Sequence, residues 1–159
     1  MSRFAELATN IPIVTEKLAC NDNIAKALYF NEPDFLSQAF PIDFNRKSLV
    51  YNKIYPYQFI PDIEDKQSSF ITMDFEFEPC GSEYRYGHIY FYIIVHKNLL
   101  RNDTGMLRHH YILNQLDETF NKIRNISIGK LQSGRAKPFV FHNGKWLGVS
   151  MAYKAVDFQ

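Results

Sequence analysis

Seven carboxylates crowd into residues 62–83, and five histidines are spread along the chain, the raw material for cation binding or acid–base catalysis. Pro61-Asp62 and Glu64-Asp65-Lys66 lie together in one short loop-like stretch. A metal-dependent nuclease needs acids delivered from two separate strand positions to share one cation, and a single loop does not supply that. Asp74, Glu76 and Glu78 alternate on one strand face, where they form either a weak hard-cation site or a solvated acidic stripe. His109 and His110 are neighbours, so on a helix they diverge by about 100°. His88 and His96 share strand parity but lie roughly 26 Å apart at about 3.3 Å per residue. No His-x-x-x-His pair, nucleophile elbow, Walker A loop or dinucleotide-binding glycine pattern occurs. The reading is therefore of a chain without catalytic residues, metal ligands or a cofactor.

The bases raise a different chemistry. Lys130, Arg135, Lys137 and Lys145 gather near the end of the chain, interleaved with Phe139, Phe141 and Trp146. Cations among exposed rings suit single-stranded nucleic acid. Phe139 and Phe141, however, face away from Val140, and one side of that strand has to be core. The net charge of +1 gives no general attraction for phosphate.

What divides the chain is the placement of charge. Residues 62–83 hold those seven acids against Lys66 alone, residues 84–159 hold eleven bases and four acids, and residues 1–61 carry six of each. Faces of opposite sign suit head-to-tail association, with charge pairing between adjacent strands as the alternative. Aromatic residues reach 16% of the chain, and such side chains dominate both cores and interfaces. Asp74, Glu76, Glu78, Arg135, Lys137 and Trp146 are the candidates for an interface or for the lining of a channel.

A chain of 159 residues suffices for one domain with a core of its own. We expect a single domain over 1–159, with a helical segment over about 1–50 and a sheet-plus-helix core over about 54–158. Cys20 and Cys80 are isolated in sequence and fit reduced thiols better than a disulfide framework. Residues 1–10 lack an apolar stretch of signal-peptide length, and the longest apolar run, Ile89–Val95, is too short to span a bilayer. The expectation is synthesis in the cytoplasm, with no membrane partner.

The elements that must position these side chains can be read in order. Pro12 suits the first turn of a helix carrying Ile13, Val14, Lys17 and Leu18. Asp22 is placed to cap a second helix with Ile24, Ala27, Leu28 and Tyr29, which Asn31-Glu32-Pro33-Asp34 ends. Residues 34–45 read as irregular, and Asn45–Val50 as a short helix or turn. In Phe70–Glu78, Ile71, Met73, Phe75 and Phe77 alternate with polar residues, the period of a half-buried strand. Tyr84–His96 reads as a long central strand. Asp103 or Thr104 caps a helix reaching about Asn125, with Ile112, Leu113, Leu116, Phe120 and Ile123 inward. Arg108, Gln115, Glu118 and Lys122 are expected to stay wet, with Glu118 and Lys122 paired. Asn143-Gly144 turns a closing hairpin in which Leu147, Val149, Met151 and Tyr153 alternate. The expected fold is α+β: a mostly antiparallel four-stranded sheet packed by a long helix, with N-terminal helices.

Several stretches resemble a family of structural proteins of tailed bacteriophages, the head–tail connector or tail-terminator-like neck proteins. They are Ile11-Pro12-Ile13-Val14-Thr15-Glu16-Lys17-Leu18, Ala27-Leu28-Tyr29-Phe30-Asn31, the run Tyr111–Asn121, Ile128-Gly129-Lys130-Leu131 and the closing Gly148–Phe158. The resemblance implies a tail-terminator type of fold, no active site and no cofactor. It implies a homo-oligomeric ring in the virion, of six or twelve copies, between portal or head-completion proteins and the tail. DNA would pass through its channel without specific recognition, and acids such as Asp74, Glu76 and Glu78 facing the lumen would repel phosphate. Loops such as Pro33–Asn45 and Pro56–Ser69 would reach neighbouring rings, ordering on contact. A phage assembly factor or chaperone is the second reading, and a small metal-dependent enzyme, with an ion near Asp74 or Asp62, the third.

Overall fold

The computed structural model describes residues 3–80, 83–121 and 130–156. Its elements run α1 (Arg3–Cys20), α2 (Asp22–Tyr29), β1 (Ile54–Tyr55), β2 (Ser69–Cys80), β3 (Glu83–His96), α3 (Arg108–Asn121), β4 (Lys130–Phe141) and β5 (Trp146–Val156). Helix α1 begins well before the expected position, so Pro12 lies in its interior and not in its first turn. Asn21, not Asp22, caps α2: its side chain accepts a hydrogen bond of 3.0 Å from the Ile24 N–H. Asp22 instead opens the helix and pairs with Arg46, where a negative charge also complements the helix dipole.

The sheet is α+β in setting and mixed in direction, with strand order β1-β2-β3-β5-β4. The expected four antiparallel strands are present, and a fifth joins them. Ile54 and Tyr55 pair in parallel with Ile71 and Thr72. A two-residue strand carries too little alternation to be seen in sequence. As expected, β3 is central, flanked by β2 and β5. Edge strand β4 contains Pro138, which a strand tolerates where it has a neighbour on one side only. Between β4 and β5, Asn143 and Gly144 adopt φ of 56° and 80°, the left-handed values that the Asn-Gly signal requires. His142 joins them at 49°.

One face of the sheet takes the helices. Ile71, Met73, Ile89, Phe91, Ile93, Val95, Val149 and Tyr153 form a single buried cluster with Val14, Leu18, Ile24, Leu28, Ile112, Leu116 and Phe120. On the other face, among the described residues, a smaller cluster of Tyr55, Phe70, Ile94 and Trp146 is buried at one end, with Phe59, Phe139 and Phe141 against it. Gly148 sits beneath the Phe139 ring and the Ile93 carbonyl, both too close to admit a Cβ. A side chain there would lift the aromatic layer off the sheet.

Helix α3 starts later than expected, after a turn in which Gly105 takes φ 81°. Its expected extension to about Asn125, with Ile123 and the Glu118–Lys122 pair, falls outside the described residues. The largest correction is Arg108. Expected at the surface, it is wholly buried. Its Nε donates to Leu99 O at 2.9 Å, and one terminal nitrogen to Ala27 O and Phe30 O at 2.8 and 2.7 Å. The other donates to Asn31 O and Glu32 O at 3.2 and 2.8 Å. All five guanidinium donors thus meet backbone carbonyls. The group also lies 4.4 Å from the Phe35 ring centre. Burial pulls its pKa down to about 10, opposed by the charge of Glu32, and it remains a cation at neutral pH. The carbonyls it takes include those left over at the end of α2, where a positive charge is favoured.

Two outcomes follow for stability. Arg108→Met strands five inward-facing carbonyls and should cost about 3–5 kcal/mol, lowering the thermal midpoint by roughly 10 °C. Arg108→Lys keeps the charge but not the fork, so it should lose most of the same amount; a calorimetric midpoint unchanged in Arg108→Lys would refute this account. The second concerns His109, buried with its Nδ1 lacking a hydrogen-bond partner among the described residues. Burial, aided by the adjacent His110, lowers its pKa from 6.5 to about 4. The unfolded chain then binds the extra proton between those values, so stability is full above about pH 6.5 and falls as pH drops towards 4. The loss amounts to about 3 kcal/mol. His96, lowered by burial and by Lys145 and Lys97, adds to the same slope. Urea midpoints measured from pH 7 to 4.5 should fall for the native chain and fall less for His109→Gln.

Candidate functional site

The pairing register assembles the charged candidates on the sheet face away from the helices. Across the strands, Thr72 meets Tyr92, Ser150 and Lys137 in one row. Asp74 meets Tyr90 and Ala152 in the next, and Glu76 meets His88, Lys154 and Gln132 in the third. Acids therefore line the β2 margin and bases the β4–β5 margin, with tyrosines between them. The margins are three strand spacings apart, about 14 Å. Asp74 and Glu76 thus share a face, as the alternation requires. Glu78 continues the same strand opposite Arg85 in the register, and its side chain lies outside the described residues. Arg135 and Lys137 are exposed on β4, Arg135 where the ladder with β5 shifts register.

The acids are engaged locally. The Gln58 amide donates to Asp74 Oδ2 at 2.9 Å, and the Phe75 N–H donates to Asp74 Oδ1 at 3.0 Å. The Tyr90 hydroxyl donates to Glu76 Oε2 at 2.8 Å, and His88 Nδ1 stands 3.2 Å from the same oxygen. The bond to Glu76 is the main reason that the Tyr90 hydroxyl is harder to ionise than usual, with burial and the Glu76 charge adding to it. Among the described residues, no group of three or more His, Cys, Asp or Glu side chains is arranged to hold a metal ion.

Trp146 departs from expectation. It is fully buried beneath the segment Pro56–Ser68 and is not available to a partner or a channel. That segment straps the open end of the sheet. Phe59 stacks on Tyr55 at 4.1 Å and meets Phe70 edge-on at 5.2 Å, above the ring of Trp146. His142 Nε2 donates to Pro61 O at 2.9 Å, and the Lys145 ammonium donates to Ile63 O. The loop expected to order only on contact with a neighbour is therefore held against its own sheet. The signal was present in the sequence: Phe70, Ile94, Phe139, Phe141 and Trp146 occupy positions that a sheet wet on one face would fill with polar residues. Of the other proposed basic residues, Lys145 is spent on the strap, and the Lys130 side chain lies outside the described residues.

The loop Pro33–Asn45 is likewise packed onto the body. Phe35 is buried, and Phe40 and Phe44 stack at 4.3 Å beside Tyr29 and Phe30. From this base the turn Pro41–Phe44 projects, closed by the Phe44 N–H donating to Pro41 O at 2.9 Å. Ile42 at its tip has a relative exposure of 108%, and sequence reading gave it no part. Other large apolar residues also remain outside, among them Tyr51, Tyr57, Ile60, Ile63 and Val140. Between α1 and the turn of helix Arg46–Leu49 lies an open groove of about 770 Å³. Among the described residues, no helix is long and apolar enough to cross a membrane.

No curated protein and no solved structure matches the chain. A family model does: residues 21–155, from the cap of α2 to the penultimate residue of β5, match YomW. The match covers most of the chain and all five strands, and on that ground the chain belongs to the YomW family, a phage-associated family.

Proposed function

We propose that this protein is a structural component of the virion, a non-enzymatic subunit that assembles with copies of itself into a ring in the head–tail neck or the tail. The observation that carries the reading is the set of large apolar side chains left outside two completed cores. Ile42, Tyr51, Tyr57, Ile60, Ile63 and Val140 stay exposed while Trp146, Phe91, Phe120 and Phe35 are enclosed. The apolar area these residues leave in water becomes favourable once a partner covers it. Membership of a phage-associated family supports the setting.

The divided sheet face supports the ring. One margin presents Asp74 and Glu76 and the other Lys137 and Lys154, so a given patch meets a different patch on the next copy. Heterologous contacts of this kind close into rings when the rotation allows. In this reading portal, head-completion or tail proteins are the neighbours, and DNA passes through the centre without being read.

Sedimentation of the purified protein over a wide concentration range, with mass spectrometry of purified particles, tests the proposal. The expected result is a discrete oligomer and a fixed copy number per particle. A chain that sediments as a monomer throughout and is missing from particles overturns it. Abundance in infected cells without incorporation would instead indicate an assembly factor.

A further inference from the structure

The tip Pro41–Asp43 is chemically odd for a turn. Turn positions favour Pro, Asp, Asn, Ser and Gly, which satisfy or preset the backbone. Here an isoleucine occupies the apex with its whole side chain in solvent. The base beneath it is stiff: Phe40 and Phe44 stack within 3° of parallel, and the Arg46 guanidinium lies 5.5 Å from the Phe40 ring centre. Arg46 is fixed in turn by Asp22. A rigid stem presenting one aliphatic side chain costs little further entropy when it docks.

A receptor of matching chemistry lies beside the stem. The groove is lined by Ile11, Ala19, Phe44 and Val50, with Lys47 and Glu16 exposed among its polar lining residues, so a charged tip residue is favoured only on the Lys47 side. Phe44 belongs both to the stem and to the groove wall, and Ile42 points clear of its own groove. The two features therefore cannot satisfy each other within one chain. Asp43, next to Ile42, carries the charge opposite to that of Lys47.

We propose that the tip of one copy seats in this groove on another copy, with Ile42 against Ile11, Ala19 and Val50, and Asp43 beside Lys47. The inference rests on the self-assembly reading above and names the contact that makes it. Tip and groove adjoin through Phe44, so the contact closes either reciprocally within a pair, which cross-links as dimers, or head to tail around a ring, which cross-links as ladders.

Cys20 supplies the test, because its exposed thiol lines the groove. In a Cys80→Ser background, Ile42→Cys should form an intermolecular disulfide with Cys20 under mild oxidation, giving linked dimers or larger ladders on non-reducing gels. Cys20→Ser should abolish them. Ile42→Asp should weaken self-association by about tenfold or more in sedimentation, with an unchanged circular dichroism spectrum because Ile42 supports no core. Asp43→Lys should weaken it too, and Lys47→Asp in the same chain should restore it. If the oligomer forms but Ile42→Asp leaves it intact and no 42–20 cross-link appears, the docking is wrong while self-assembly stands. If the unmodified chain is monomeric at every concentration, both fall.

Discussion

The fold depends on holding a full positive charge inside it with every donor of that charge engaged by protein. Arg108 meets that constraint by spending each of its donors on main-chain oxygen. The carbonyls come from the end of α2, from the three residues that follow it and from Leu99 beyond β3. An ion pair would have tied the group to one side chain. Five carbonyls tie it instead to the path of the chain, so α2, the turn after it and the start of α3 are fixed against one another by a single residue. The stem that carries the Phe40–Phe44 stack follows this junction in the chain, and the same guanidinium lies over the Phe35 ring.

Much of this was legible in the residues. The alternation of Ile71, Met73 and Phe75 reports the helix-facing side of β2, and Asn143-Gly144 marks the last hairpin, because both signals are local. Where the reading failed, residue type had been weighed above spacing. Arg108 stands four residues before Ile112 and eight before Leu116, on the apolar stripe itself, and its charge alone suggested the surface. Trp146 has the parity of the second sheet face, and its place among bases and aromatic rings suggested a surface for a partner or a channel. Both errors concern burial created by distant segments, the α2 terminus in one case and the strap in the other. No window along the chain contains those partners. β1 escaped notice for a simpler reason: two residues make no period.

The candidate surfaces were legible only in part. Asp74, Glu76 and Lys137 were named from sequence, and the register brings them to one face with Tyr90, Tyr92 and Lys154 between and beside them. The acids turn out to be held by Gln58, Tyr90 and His88, so the margin they form is an ordered one. Ile42 could have been found as an aliphatic residue between Pro41 and Asp43, in a stretch otherwise made for turning. The family match places these features in a phage-associated protein and leaves the contacts themselves to be read from the surface.

Pro138 has a consequence for growth beyond one closed assembly. An outer strand with its full row of amide hydrogens is a template on which further chains can lay themselves without limit. Pro138 withholds one hydrogen from that row, and the ladder irregularity near Arg135 bends the remainder. Newly made copies crowded together would find this border a poor place to polymerise as fibrils. Recognition is left to side chains, which can specify where addition stops.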